Sequence, residues 1–255
     1  MISQAYRVEI TGGENPPTAA ADILVRRLNA LCHLEPHELA ALGSLIQETA
    51  TLPSGHEIFG NGKPAKEALV LLSGLACHYS VLDTARRQMT GLIVPGDFCD
   101  YGFLSSSPVH QSVKTLCPAV VGRIDLRYFS AVGDKLPNIV VATMRAAAIE
   151  QASARELVIS LGARDALQRL AHLLCELHYR LKLVGLVSPS GQFELALTQA
   201  ELGEALGLST VHVNRTLQQL RKRQLITMAH KQVTIIDLAG LEAVAAFQPN
   251  YLQGR

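Results

Sequence analysis

Long apolar runs are missing from this chain of 255 residues, although 48% of its residues are hydrophobic. Every apolar stretch is interrupted well before the ~20 residues that a membrane-spanning helix needs. The first residues, MISQAYRVEITGGENPP, also lack the basic start and the apolar core of a secretion signal. We therefore expect a cytoplasmic protein that has no membrane partner.

Paired cysteines and catalytic motifs are equally scarce. The cysteines are odd in number, are widely spaced and form no CxxC pair, so a disulfide scaffold is not expected. We expect buried, unreactive thiols at Cys32, Cys77, Cys99, Cys117 and Cys175. HExxH, P-loop and GxSxG motifs do not occur. The chain is therefore not expected to be an enzyme, and no residue is assigned a catalytic or metal-binding role.

What the sequence does contain is a helix-turn-helix pattern between Thr198 and Ile226. Thr198, followed three residues later by Glu201, is a capping-box pattern that begins a first helix. Gly207 can adopt the positive φ that ends this helix, and Ser209 can cap a second helix that extends to Arg223. An ordinary helical hairpin with a solvated basic face is the alternative interpretation.

The outward face of this motif suits DNA. A helix with hydrogen-bonding side chains at its start and cations at its end fits a major groove flanked by phosphates. The apolar runs Leu225–Met228 and Val233–Ile236 predict a β-hairpin wing behind it. Five Lys/Arg and two Glu give the stretch 198–231 a net charge of +3, against +1 for the whole chain. The candidate DNA contacts are Thr198, Gln199, Ser209, Thr210, Val211, His212, Asn214, Arg215, Lys222 and Lys231.

These candidates divide by expected role. The three at helix N-termini would hold phosphates through backbone amides and the helix dipole. The next four would meet base edges, and Val211 among them would contact a thymine methyl group. Arg215 would grip a guanine or a phosphate, and the two lysines would contact phosphates only.

The segments LTQAELGEALGLSTVHVNRTLQQLRKRQLI and LGARDALQRLAHLL, together with the wing, resemble transcription regulators of the Crp/Fnr superfamily. The resemblance extends from about Asp22 to Leu238 and is strongest in the C-terminal third. It implies an α+β fold with an N-terminal jelly-roll-like β-roll, a long dimerisation helix and a C-terminal winged helix-turn-helix. Relatives that read a GTGA-type half-site carry Arg and Glu where this chain has Thr210 and Val211, so a different half-site is expected.

The chain is expected to divide into four segments. Residues 1–20 would form a flexible arm, 21–135 a β-roll effector-type domain, 136–162 the dimerisation helix and 163–255 the DNA-binding domain. Short apolar runs that alternate with turn signals from Thr49 to Arg123 independently predict seven or eight strands in the β-roll. Gly162 is the candidate hinge.

The long helix carries a heptad seam interrupted by one polar residue, which predicts a parallel coiled-coil dimer. The seam consists of Val140, Met144, Ala147, Gln151, Ala154, Val158 and Leu161. A dimer would place two recognition helices about one DNA turn (~34 Å) apart. Packing of the same stripe against the chain's own β-roll is the alternative. The expected partners are double-stranded DNA, a second copy of the chain and RNA polymerase.

The effector is less clearly defined. In nucleotide-binding relatives an acidic residue holds the ribose and an Arg holds the cyclic phosphate. The matching stretch here keeps Gly96 but has no clear acidic equivalent, and it has His110 or Gln111 at the Arg position. A buried phosphate without its Arg lacks its bidentate partner, so cyclic AMP is not expected to bind. The candidate effector pocket consists of Gly96, Asp97, His110, Gln111 and Ser112.

Other cofactors remain as alternatives. Some relatives hold an iron–sulfur cluster with closely spaced N-terminal cysteines, but this chain has only Cys32 there, so no cluster is expected. His56, His78 and His110 leave open haem or metal ligation. A ligand- or haem-binding sensor that acts through protein contacts is therefore the alternative function.

Overall fold

The computed structural model describes residues 18–62, 67–81 and 87–254. Within these ranges the helices are α1 (Thr18–Leu31), α2 (Pro36–Gly43), α3 (Leu126–Lys135), α4 (Pro137–Ala163), α5 (Ala166–Leu183), α6 (Gln199–Leu206), α7 (Thr210–Lys222) and α8 (Leu238–Ala245). The strands are β1 (Glu48–Leu52), β2 (Glu57–Phe59), β3 (Ala68–Ser73), β4 (Ala76–Val81), β5 (Arg87–Ile93), β6 (Ser112–Thr115), β7 (Ala119–Ile124), β8 (Gln192–Glu194), β9 (Ile226–Ala229) and β10 (Gln232–Ile235).

The N-terminal arm, predicted over residues 1–20, falls mostly outside the described residues. Its last three residues were wrongly assigned, because α1 begins at Thr18.

The first seven strands form the predicted β-roll. They pair antiparallel in a three-stranded sheet of order β1-β7-β3 and a four-stranded sheet of order β2-β6-β4-β5. Both sheets contribute inward side chains to one apolar cluster, which includes Ile58, Leu71, Val113 and Val121. Alternate residues of a strand point to opposite faces, so each strand supplies this cluster from one face only. The α+β class is confirmed.

One face of α4 packs against the β-roll and α1. Ile139, Ala142, Ala146 and Ile149 recur at helical spacing and are buried. They meet Leu24 and Leu28 of α1 within the same core cluster. The β-roll, α1 and α4 therefore form one packed unit.

The prediction that the long helix breaks at Gly162 is wrong. α4 continues through Gly162 to Ala163, and the chain becomes extended at Arg164, with φ −84° and ψ 144°. Asp165 then caps α5 by accepting a hydrogen bond from the Gln168 amide at 2.9 Å. A glycine inside a helix costs only about 1 kcal/mol, which is too little to end a long helix.

The C-terminal unit is built on α5. β8, β10 and β9 form a small antiparallel sheet in that order, and α8 packs against α5. A 3-10 helix at Pro249–Leu252 then packs on α4, with Leu252 fully buried. The Tyr251 hydroxyl donates to Glu176 Oε2 of α5 at 2.8 Å. The end of the chain therefore contacts both the long helix and the DNA-binding unit.

Candidate nucleic-acid interface

The turn between α6 and α7 depends on two glycines. Gly207 ends α6 in the left-handed region at φ 64°. A Cβ on Gly203 would lie 2.5 Å from the Leu208 carbonyl oxygen, so only glycine allows the chain to pass this closely. The Ser209 hydroxyl caps α7 by accepting from the His212 amide at 3.3 Å. The sequence therefore sets the angle between the two helices through local geometry.

The outward face of α7 is free of the protein's own body. Val213, Leu217 and Leu220 are buried, while the side of the helix that carries Asn214 and Arg215 faces solvent. Val211 is 75% exposed. The residues predicted to contact DNA are all exposed: Thr198, Gln199, Ser209, Thr210, Val211, His212, Asn214, Arg215, Lys222 and Lys231.

The wing is a hairpin whose two-residue turn is His230-Lys231. Both residues have positive φ, 48° and 64°, which matches the primed turns of tight hairpins. Lys222 and Arg223 are exposed, whereas Arg221 is half-buried and donates from Nη2 to the Met228 carbonyl oxygen. Arg221 therefore fastens the wing to α7.

The start of α6 is less favourable for a phosphate than the sequence suggests. Thr198 and Glu201 complete the predicted capping box, in which Glu201 Oε2 accepts from the Thr198 amide at 2.7 Å. The carboxylate therefore lies at the position where the helix dipole would attract an anion. Ser209 at the start of α7 has no acidic residue in its first turn.

The heptad seam of α4 is largely uncovered in the single chain. Met144 is 59% and Val158 is 69% exposed, and Gln151 and Ala154 are also exposed. Val140, Ala147 and Leu161 are half-buried. The alternative in which this stripe packs on the chain's own β-roll is wrong, because other residues of α4 fill that role.

α6 rests directly on the β-roll. The Gln88 side-chain amide of β5 donates to the Glu204 carbonyl oxygen of α6 at 3.0 Å, and Arg87 lies 4.0 Å from the Glu204 carboxylate. Arg169 of α5 donates to the Leu206 carbonyl oxygen at the end of α6 at 3.0 Å. The orientation of the helix-turn-helix is therefore tied to strand β5.

Asp97 does not face an effector pocket, contrary to the prediction. Its buried carboxylate binds two arginines, Arg27 of α1 at 3.1 Å and Arg180 of α5. Burial would raise the pKa of Asp97, but the two guanidiniums and the Val94 amide hold it below its usual range. A Cβ on Gly96 would come within 2.8 Å of Arg27 Cβ, so Gly96 gives this ion pair room. Both residues serve packing between helices.

The remaining pocket candidates lie apart from this ion network. Gln111 Oε1 accepts from the Thr90 hydroxyl at 2.6 Å, and the Ser112 hydroxyl accepts from the Asn61 amide at 3.2 Å. His110 is exposed. Among the described residues, no hydrogen bond joins these three side chains to Gly96 or Asp97.

The histidines and cysteines of the described β-roll residues do not cluster into a metal-binding arrangement. His78 Nε2 lies 2.9 Å from Glu150 Oε1 of α4, although the two groups are not aligned for a hydrogen bond. In the part of the chain that the structure describes, no three His, Cys, Asp or Glu side chains converge as metal ligands would. Burial raises the pKa of Cys77 to about 12, and Cys175 behaves alike, so these thiols stay protonated.

Two buried arginines and Asp97, none of them predicted from the sequence to do so, join the two units. Arg27 and Arg180 lie on otherwise apolar helix faces, and a cation at such a position indicates a buried partner. Nothing in the local sequence identifies Asp97 as that partner, because it lies 70 residues from one arginine and 83 from the other. No helix within the described ranges has the length and apolar character that crossing a bilayer requires.

Two family models match the chain. A cyclic nucleotide-binding domain matches residues 49–135, and a Crp-like helix-turn-helix domain matches residues 168–244. The fumarate and nitrate reduction regulatory protein of Salmonella typhi is 25% identical over 217 residues, which cover 85% of this chain and 86% of the relative. Electron transport regulator A of Shewanella oneidensis is 25% identical over 212 residues, 83% of this chain and 84% of that relative.

Solved structures share the architecture. FixK2 from Bradyrhizobium japonicum aligns with a TM-score of 0.68 at 21% identity, covering 78% of this chain and 98% of the other. A transcriptional regulator of the CRP family from Thermus thermophilus aligns with a TM-score of 0.59 at 21% identity, covering 77% of this chain and 96% of the other. These similarities confirm the arrangement of β-roll, long helix and winged helix-turn-helix.

Proposed function

This chain belongs to the Crp/Fnr superfamily of DNA-binding transcription regulators, and we propose that it acts as a cytoplasmic homodimer that reads a pseudo-palindromic site through α7. The observation that carries the proposal is the exposed polar face of α7, from Thr210 to Arg215, beside a cationic wing. A helix of this kind enters the major groove while flanking cations contact the phosphates.

Dimerisation would supply the symmetry of the site. The uncovered seam on α4 supports pairing with a second copy, because monomers rarely leave a regular apolar stripe exposed along a helix. Two parallel copies of α4 would present two copies of α7 to successive turns of the duplex, ~34 Å apart. A regulator bound in this way would next contact RNA polymerase.

Cyclic AMP is not the expected effector. Gln111 is already hydrogen-bonded to Thr90, and His110 offers no guanidinium for a cyclic phosphate. Asp97 is held by two arginines and is not free to bind a ribose. A phosphate anion buried there would lack the bidentate arginine partner that offsets its desolvation.

DNA selected from a random-sequence pool tests the proposal, with binding measured by fluorescence anisotropy. Asn214→Ala or Arg215→Ala should remove ~1–3 kcal/mol of discrimination at one base pair of each half-site. Lys222→Ala should weaken all sequences alike and lower the salt slope by about 1. Lys135→Ala, which removes an exposed cation from α3, is the matched control and should change neither quantity.

Two outcomes would count against the proposal. Unchanged binding in the double variant of Asn214 and Arg215 would remove α7 as the reading element. DNA binding that ignores salt would instead favour a sensor that acts through protein contacts. A dependence of site-specific binding on added cyclic AMP would overturn the effector assignment alone.

A further inference from the structure

A groove lies between α6, α7 and the wing. Its floor is apolar and comes from Leu202, Leu217 and Met228. Its rims are polar, come from all three elements and consist of Gln199, Asn214, Gln218, Arg221, His230 and Lys231. Asn214 belongs to this wing groove and also to the exposed face of α7. The wing groove therefore adjoins the surface that is proposed to read DNA.

Three polar residues of α7 form one stripe along the wing groove. Asn214, Gln218 and Arg221 are four and then three positions apart, so they lie on one face of the helix. At 1.5 Å per residue this stripe is about 10 Å long. Gln218 is exposed, and Arg221 reaches from α7 to the Met228 carbonyl oxygen in the wing. A DNA strand that meets Asn214 and follows the helix would therefore also pass Gln218 and Arg221.

The charge of the wing groove favours an anion. Among the described residues that line it, none is acidic. Arg221 and Lys231 supply two positive charges, and in the described ranges neither has a carboxylate at ion-pair distance. Glu201 at the start of α6 is not part of the lining, and its carboxylate accepts from the Thr198 amide and hydroxyl at 2.7 and 2.8 Å. The side-chain amides on the rims can donate or accept, whereas the two cations only donate.

We propose that the wing groove holds the sugar–phosphate backbone of one DNA strand. Arg221 from α7 and Lys231 from the wing contact its phosphates, Gln218 donates to a phosphate oxygen, and the apolar floor packs against deoxyribose. This inference rests on the proposed DNA-binding function and adds Gln218 and Arg221 to the contacts expected from the sequence.

The consequence of such a contact is positional. Phosphate contacts fix the register of a protein on the duplex and carry no sequence information themselves. Because Arg221 also fastens the wing to α7, one side chain would hold the strand and the wing in a fixed relation. Gln218 and Arg221 are therefore positioning residues for the base contacts of α7.

Gln218 is the residue to replace, because Arg221→Ala would also release the wing. Gln218→Lys adds a cation beside the backbone and should strengthen binding to every DNA sequence, with a salt slope steeper by about 1. Gln218→Glu should weaken binding to every sequence about tenfold or more. Fluorescence anisotropy between about 50 and 200 mM salt measures both quantities. Gln47→Lys and Gln47→Glu make the same charge changes at an exposed residue of the β-roll, and these matched controls should change neither quantity.

Methylphosphonates, which remove the charge of one phosphate at a time from the duplex, locate the contact. At the phosphates held in the wing groove, each should weaken binding of the wild-type chain. These losses should shrink in Gln218→Ala and in Lys231→Ala, and for both variants on the same strand. The affected phosphates should be about three neighbours at most, which is the length of strand that ~10 Å covers. Lys135→Ala on α3 should keep every loss at its wild-type size.

Effects of Gln218 and Lys231 on opposite strands would overturn the inference, as would unchanged affinity and salt dependence in Gln218→Lys and Gln218→Glu. Loss of discrimination at one base pair in Gln218→Ala would make Gln218 a base contact and would also overturn it.

Inorganic phosphate distinguishes a DNA backbone from a free anion. At the same ionic strength, millimolar phosphate should displace DNA no better than chloride does, and stronger displacement would assign the groove to a free anion. If the inference fails while specific binding still depends on Asn214 and Arg215, the proposed function stands. If the wild-type chain shows no specific DNA binding, both fail.

Discussion

Asp97 shows how one buried charge can hold helices from two units together. Its carboxylate accepts from Arg27 of α1 and Arg180 of α5, and both arginines are themselves buried. A buried ion pair of this kind adds little stability compared with apolar packing. Removing one charged partner is nevertheless costly, because it leaves buried charge without compensation. The contribution of Asp97 is therefore best measured by replacing it and following the free energy of unfolding.

Asp97→Asn should destabilise the protein by about 3–5 kcal/mol, because it removes the carboxylate that Arg27 pairs with and leaves buried Arg180 with Glu176 as its counter-charge. The free energy of unfolding in urea measures the change. Asp134→Asn, on the exposed side of α3, is the matched control and should stay within about 0.5 kcal/mol of wild type. A loss as small as that of the control would show that Asp97 is not needed to hold the arginines.

His172 makes stability depend on pH. Its pKa is about 4 in the folded protein, against 6.5 for an ordinary histidine. Between these values the unfolded chain takes up a proton that folded His172 does not, so stability falls as the pH drops from 6.5 towards 4. The decrease should reach about 2–3 kcal/mol at pH 4.

His172→Phe removes this titration and should flatten the lower part of the stability profile, measured by urea unfolding at a series of pH values. His178 has a pKa lowered by burial and by Lys182, so a smaller slope of the same sign should remain. A profile with the same slope in both proteins would contradict the assignment of the effect to His172.

At the scale of elements, the wing combines a strained turn with the exposed cation Lys231, which we propose contacts a phosphate. His230 and Lys231 both adopt positive φ, which costs non-glycine residues about 1 kcal/mol each. Asn and Gly are the residues that this turn prefers. The wing therefore gives up stability at the point where Lys231 reaches solvent.

Lys231→Gly should stabilise the protein by about 0.5–1 kcal/mol while weakening its binding to every DNA sequence, because the backbone strain and the proposed phosphate contact would disappear together. His230→Asn should give a similar gain in stability without the loss of DNA affinity. Thermal unfolding and fluorescence anisotropy measure the two effects. Weaker DNA binding confined to one base pair in Lys231→Gly would contradict the phosphate role.

The elements differ in how far the sequence could predict them. Capping residues and Gly207 act on their own neighbours, so the start and end of α6 could be predicted locally. The break predicted at Gly162 was wrong, because the free-energy cost of a glycine in a helix is small compared with the stabilisation from packing along α4. The Asp97 network could not be predicted, because it depends on which distant faces meet after folding.

At the scale of the whole molecule, a continuous series of packed helices connects the uncovered seam of α4 to α6. α4 carries the seam at its outer face, packs on the β-roll at its inner face and leads through Arg164 into α5. α5 in turn holds α6 through Arg169. A change in how α4 packs on the β-roll is therefore expected to alter the position of α7 through α5 and α6, which pack against one another and against α7.

Val158 offers the sharpest test of the dimer on which this path depends. It is 69% exposed on the seam, and in a parallel pair it would face its own copy across the two-fold axis. Val158→Glu would place two carboxylates together in an apolar interface and should raise the dimer dissociation constant about 100-fold or more. Sedimentation velocity measures the dissociation of the dimer, and DNA affinity should also fall because a monomer can contact only one half-site.

Val81→Glu is the matched control. It makes the same change at the end of β4, where Val81 is 59% exposed, and should leave the chain dimeric. A dimer that persists in Val158→Glu would place the interface elsewhere and separate α4 from the spacing of the two recognition helices.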